Sequence, residues 1–243
     1  MTLAPSDIES LERATLSPVA PPEVLEIDGW LVPLEDGPIG RAKSAVPLRH
    51  DLGPQALDAI EAAYGARSLK PAFRVADEPG LGAVRAALEA RGYRPEQPTV
   101  AMTAPAATVA TFAVPFADLL EQPDEAWSEV FLGEGFDPEE GAFRARRLSQ
   151  APDALYGAVR EGGRTVAVGV VSFGHGWAGV HGMRTAADQR GRGHAGAILA
   201  AFGRLALDKG VERVFLQVET GNPARGLYRK AGFSPLWEYQ YWA

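Results

Sequence analysis

The stretch Arg190-Gly191-Arg192-Gly193-His194-Ala195-Gly196 decides the reading of this chain. Its three glycines let the main chain approach an anion without an intervening Cβ, and Arg190 and Arg192 add charge beside the amides. Upstream, residues 180–185 alternate as a strand and 186–189 form a short turn. Downstream, Ala195, Ile198, Leu199, Phe202, Leu205 and Ala206 recur at the spacing of one helix face, and Gly210 supplies a stop. The spacing predicts a helix over 195–209 whose unpaired first-turn amides face the glycine loop.

A nucleoside triphosphate loop is excluded, because no Gly-Lys-Ser/Thr ending follows. A Rossmann-type, NAD-binding oxidoreductase is a closer rival, since Gly191, Gly193 and Gly196 fit Gly-x-Gly-x-x-Gly and Glu219 closes the next strand. Two observations count against it. That fingerprint opens a sheet with several βα units to come, whereas only one fits before Ala243. Ahead of the loop, strands at 154–160 and 165–173 joined by Glu161-Gly162-Gly163-Arg164, with a third opening at Trp177, make a meander instead.

After the helix, residues 211–219 read as a buried strand, and a second helix follows. Asn222 is a favoured N-cap, Pro223 suits the first helical position, Gly232 ends the helix, and Ala224, Leu227, Tyr228 and Ala231 form its inward stripe. The two motifs together, Arg190-x-x-Gly193-x-Ala195 and Asn222-x-Ala224-x-x-Leu227-Tyr228-x-x-x-Gly232-Phe233, resemble the GNAT family of acetyl-CoA-dependent N-acetyltransferases. The likeness covers residues 110–243, with Ala195 standing for that family's final glycine.

This resemblance implies an α/β (mixed) fold, a central mixed sheet flanked by helices, with acetyl-CoA as cosubstrate and no metal. It implies a diphosphate held by Arg190, Gly191, Arg192, Gly193, His194, Ala195 and Gly196, and a pantetheine arm along Met183, Arg184 and Thr185 with Asn222 on the same arm. Tyr228 takes the family's general-acid position. A thiolate with a pKa of about 8.5 leaves poorly near neutrality unless protonated, and a phenol of pKa about 10 can donate that proton. The match identifies no base. Glu219 at a strand end and His181 within the preceding strand are candidates, each with a structural alternative, and a water relay is a third; strand alternation puts His181, Met183 and Thr185 on one face.

The acceptor is expected near helices at 116–132 and 138–148, where Glu121, Asp124, Glu125, Glu129 and Glu134 could draw a cationic amine and Phe131 and Phe136 could line a pocket, although a solvated face and core packing explain them equally. A small-molecule or peptide amine is the expected partner, and a non-catalytic CoA-responsive module is the rival function.

The first hundred residues repeat the pattern. Strands at 26–34, 71–76 and 98–103 alternate with helices marked by Leu57, Ile60 and Tyr64 and by Leu81, Val84 and Leu88, and Ala87-Leu88-Glu89-Ala90-Arg91-Gly92-Tyr93 echoes Leu227-Tyr228-Arg229-Lys230-Ala231-Gly232-Phe233. We read a duplication into two packed GNAT-like domains, a degenerate one at 1–105 and an acetyl-CoA-binding one at 106–243. The first lacks the phosphate loop, having Leu48-Arg49-His50-Asp51-Leu52-Gly53-Pro54 in its place, and Leu88 replaces the tyrosine. It is expected to buttress the second or close its acceptor cleft. The final segment 237–242 reads as a core strand rather than a partner surface.

Composition agrees: 243 residues with 46% apolar content suffice for sizeable cores, and a net charge of −7 disfavours nucleic acid. No cysteine is present, and His50, His175, His181 and His194 lack metal-ligand spacing. With no long apolar span and no signal-like start, a cytoplasmic protein, monomer or homodimer, is expected.

Overall fold

The computed structural model describes residues 5–114, 116–135 and 137–243. Its first half runs α1 (Pro5–Leu16), β1 (Val24–Ile27), β2 (Trp30–Pro33), α2 (Gly40–Lys43), β3 (Val46–Pro47), α3 (Leu57–Gly65), β4 (Phe73–Ala76), α4 (Gly82–Ala90) and β5 (Pro95–Pro105). The second runs α5 (Ala106–Ala110), β6 (Asp118–Leu120), α6 (Glu125–Glu129), α7 (Pro138–Leu148), β7 (Ala154–Glu161), β8 (Arg164–Gly174), β9 (Trp177–Thr185), α8 (His194–Asp208), β10 (Arg213–Glu219), α9 (Arg225–Lys230) and β11 (Ser234–Trp242).

The repeat expected from sequence is visible in the strand order. Each half has an antiparallel meander, β1-β2-β3 or β7-β8-β9, then a helix, α3 or α8, that crosses to a parallel neighbour, β4 or β10. A parallel bridge from Ala45 to Phe73 ties the small sheet to β4. A second helix and a long strand complete each half, and here the halves exchange strands. The larger sheet runs β4-β11-β5-β10-β9-β8-β7-β6, so β5 lies between β10 and β11 while β11 lies between β5 and β4. The strand that the division at 105 assigns to the first half therefore pairs on both edges with the second. The segment 237–242 is internal to the sheet, as expected of a core strand.

Within this sheet only β9 and β10 pair in parallel, and β10's other neighbour, β5, is antiparallel to it. That arrangement excludes the Rossmann reading, which needs successive parallel units.

Two sequence expectations are corrected. Residues 26–34 are not one strand but the β1–β2 hairpin, turned by Asp28 and Gly29 at φ 45° and 82°, an Asp-Gly pair suited to a two-residue turn. Residues 116–132 are not one helix: β6 pairs with β7 at the sheet edge, Asp124 then caps α6 by accepting from the Trp127 amide at 2.8 Å, and 130–132 form a 3-10 turn.

Helix α8 covers one face of the sheet, its Ile198 and Phe202 lying so close over Gly157 that a β-carbon there would meet both at 2.9 Å. On the other face Leu11 of α1 joins Trp177 and Phe215 in a core shared with the first half, and α6 and α7 bury Trp127, Ala145 and Leu148. Burying these apolar faces supplies most of the stability, at roughly 25 cal/mol per Å².

Candidate active site

Strands β9 and β10 pair only where Ala178, Gly179 and Val180 meet Val214, Phe215 and Leu216. Beyond that point each holds its outer partner instead, β9 to β8 as far as Thr185 opposite Ala167 and β10 to β5 as far as Glu219 opposite Thr99. The result is a wedge whose two inner main-chain edges face each other unpaired.

Gly182 accentuates the wedge. It adopts φ +58°, and the β8–β9 register shifts between Val168 and Val170 opposite it, so one extra residue is inserted in β9. This overturns the strict alternation expected from sequence. His181 packs edge-on against Phe215, whereas Met183 lies on the α8 face, where a β-carbon at Gly169 would come within 2.4 Å of its Sδ.

The glycine loop closes the α8 side. Gly191 and Gly193 have φ +79° and +88°, with open space where a side chain would stand, so conformation rather than crowding demands glycine. The first helical bond runs from the Ala197 amide to the Gly193 carbonyl, and among the described residues the amides of His194, Ala195 and Gly196 ahead of it have no main-chain partner. The helix thus starts one residue earlier than predicted, with Gly193 as its cap.

A cavity of about 800 Å³ lies before these amides. Its walls include Met183, Arg184, Thr185, Arg190, Gly191, Gly193, His194, Ala195, Gly196, Asn222 and Tyr228, bringing together Tyr228 and all but one, Arg192, of the residues expected from sequence to bind the cofactor. Arg192 is exposed and outside the cavity wall. The His194 ring is buried beneath, with Glu161 Oε1 at 3.7 Å and Phe116 edge-on, so this residue offers the cavity its main chain. Asn222 Oδ1 accepts from the Ala224 amide at 2.9 Å, and α9 begins at Arg225 after a tighter first turn.

A second cavity of about 420 Å³ lies beyond, sharing Met183, Arg184, Asn222 and Tyr228 with the first. Tyr228 is 8% exposed, and burial pushes its phenol up to about 12, so it stays protonated at neutral pH. Glu219 borders this second cavity and accepts from Gln97 Nε2 at 2.8 Å; Gln97 is held at φ +50° in β5. His181 also borders it, buried, with Nε2 lacking a hydrogen bond; burial first, and the charge of Arg41 second, hold the imidazole well below its usual range.

The first half supplies much of this second wall: Pro38, Ile39, Gly40 and Arg41 around α2, and Gln97 and Thr99 of β5. Sequence reasoning missed these residues, and it missed Arg144, Gln217, Tyr239 and Tyr241. No local pattern points to them; the nearest signal is Gly40, where a β-carbon would stand 2.8 Å from the Tyr241 ring. The acidic cluster read from sequence does not line this second cavity. Glu129 and Glu134 border a different depression, Asp124 pairs with Arg160, and Glu121 and Glu125 border neither cavity, so the carboxylates here are Glu140 and Glu219. Phe131 sits in the core against Trp127, and Phe136 lies outside the described residues. Among the described residues no cluster of three or more His, Asp or Glu is arranged to hold a metal, and no helix is long and apolar enough to cross a membrane.

This architecture is shared with solved structures of GNAT proteins. A GCN5-related N-acetyltransferase from Kribbella flavida superposes with a TM-score of 0.71 over 97% of this chain and 94% of that one, at 18% identity. A tandem GNAT protein from the clavulanic acid biosynthesis pathway superposes with a TM-score of 0.61 over 99% and 96%, at 15% identity. In sequence, 124 residues are 31% identical to the uncharacterized N-acetyltransferase YobR of Bacillus subtilis (strain 168), a match spanning 50% of each protein. Fold and motifs together define the GNAT class of N-acetyltransferases. Within that class the chain belongs to the family described as "Probable histone acetyltransferase Rv0428c C-terminal", whose model matches residues 5–242.

Proposed function

We propose that the protein transfers an acetyl group from acetyl-CoA to a primary amine of a small molecule or peptide, by direct attack, in the cytoplasm. The observation that carries this reading is the meeting of two cavities at Tyr228, in the wedge between β9 and β10. The donor site fits its ligand chemically: left-handed glycines and unpartnered helix-start amides suit a diphosphate, and the open edge of β9 suits an amide-bearing arm. Acetyl-CoA, when bound, supplies a thioester-activated acetyl group.

The protein's own groups would do the rest. Amides of 191–196 with Arg190 hold the diphosphate, and binding there positions a remote reacting carbonyl. Met183, Arg184 and Thr185 offer main-chain partners to the arm, and Asn222 retains its amide NH₂ for it, its oxygen being committed to Ala224. Tyr228 keeps its proton until the thiolate departs. Glu219, oriented by Gln97, takes a proton from the incoming ammonium; its carboxylate borders the acceptor cavity, and the depressed basicity of His181 favours Glu219 over the imidazole. The first half closes the acceptor side.

Thermal-shift measurements with acetyl-CoA, CoA and NAD, followed by an acetyl-transfer assay over an amine panel, test this. Stabilisation by acetyl-CoA and CoA but not NAD, with turnover on at least one amine, is expected. Stabilisation without turnover on any amine would support a CoA-responsive binding module instead.

A further inference from the structure

The acceptor cavity is bordered by three guanidinium groups, Arg41, Arg144 and Arg184, and by two carboxylates, Glu140 and Glu219. Glu140 is paired with Arg144, whose Nε donates to it at 2.8 Å within the same helix, and Glu219 accepts from Gln97 at the Tyr228 end of the cavity. Arg41 differs from both. Its Nε is buried with no hydrogen-bond partner, and among the described residues its guanidinium forms no ion pair. The groups whose charges bear on it are Arg74, already paired with Glu12, Arg144, and the phenols of Tyr239 and Tyr241, and its own charge bears on His181. Desolvation first, and these like charges, disfavour its charged form, and the two phenols offset them only in part. An uncompensated cation at a cavity wall is costly unless a ligand supplies the anion.

The position of Arg41 is nonetheless fixed with care. Ser44 Oγ donates to the Gly40 carbonyl at 2.8 Å and Tyr64 Oη to the Lys43 carbonyl at 3.0 Å, so both ends of the four-residue α2 are tied down. Gly40 has no side chain, which lets the segment press against the Tyr241 ring. A guanidinium carried on a fixed segment at the wall of a small cavity can make a forked pair with carboxylate or phosphate oxygens.

We infer that the acceptor is an amine that also carries an anionic oxygen group, a carboxylate or a phosphate, and that Arg41 of the first half receives that group while the amine lies toward Tyr228. This rests on the acetyl-transfer reading and narrows it. It also sets this cavity against basic peptide tails, which would bring further positive charge to a wall already holding an unpaired one.

The test uses matched probes: glycine, 4-aminobutyrate and lysine each beside its primary carboxamide, and 2-aminoethyl phosphate beside 2-aminoethanol. Binding by calorimetry and acetyl transfer are measured for the full chain, Arg41→Met and Arg41→Lys. At least one acid should exceed its uncharged partner by about tenfold or more in kcat/KM, mainly through KM, which the methionine variant abolishes and the lysine variant partly restores. Free Arg41→Met should hold or raise its Tm, which loss of a structural arginine would lower. Which pair shows the preference separates carboxylate from phosphate. Equal use of every acid and its neutral partner, or a preference that survives Arg41→Met, would overturn the inference while leaving acetyl transfer standing. Calorimetric preference for an acid in a protein without turnover would retain the anchor and remove the transferase reading.

Discussion

Tyr228 carries the sharpest single-residue prediction. If it is the proton donor, Tyr228→Phe lowers kcat by about a hundredfold while the dissociation constant for acetyl-CoA barely moves, which steady-state kinetics and calorimetry separate. With its phenol at about 12, deprotonation of this group should impose no falling limb on the kcat profile up to pH 10. A midpoint below that pH would assign the limb to another group. Titration also predicts acid sensitivity. His50, held edge-on to Trp237, is depressed to about 4, mainly by burial and then by Arg74. Its folded-state value lies below the unfolded one, so the unfolded chain takes up the proton first; stability is full at pH 7 and is lost as pH falls from about 6.5 toward 4. His181 acts in the same direction. Tm should therefore fall on acidification, and less steeply in His50→Gln. At this scale Tyr228 and the glycine loop were legible because each sits in a local motif. Arg41 was not, since only the folded first half brings α2 against Tyr241 and the cavity.

Among elements, β9 shows where pattern reading stops. Its apolar residues and its place before the loop identified it as a strand, but alternation assumes one residue per step, and the extra residue at Gly182 reverses the faces beyond it. The lone signal was a glycine inside a strand. A β-carbon at Gly182 would stand 2.6 Å from Leu148 Cδ1 and force a side chain into the left-handed region, so Gly182→Ala should cost about 2–3 kcal/mol in urea unfolding. Gly193→Ala meets no neighbour, so it should cost only about 1 kcal/mol of stability while weakening acetyl-CoA binding at the loop. The two variants thus separate a packing role from a loop role within one site.

For the whole molecule, the duplication was legible in the echo of 87–93 by 227–233, but the exchange of β5 and β11 was not. Both strands carry the same alternation whether they pair within their own half or across, so nothing in the chain distinguishes the two arrangements. The exchange has a mechanical consequence. Removing 1–105 strips β10 of its antiparallel partner and leaves β11 without either neighbour, so the excised second half should fail to fold, and the full chain should unfold in one transition by circular dichroism and calorimetry alike. Two resolved transitions would show halves that stand independently. The first half has a different segment where the second has its glycine loop: His50 and Asp51 press on Gly80, where a β-carbon would meet the His50 carbonyl at 2.1 Å. Its Pro38, Ile39, Gly40, Arg41, Gln97 and Thr99 wall the second cavity.

The most direct test of the account is a crystal structure with acetyl-CoA. The diphosphate should lie on the amides of 191–196, with the arm along Met183 to Thr185 and the thioester beside Tyr228 at the junction of the two cavities. A ligand seated elsewhere, or main-chain NH groups of the loop turned inward to the protein in its presence, would contradict it.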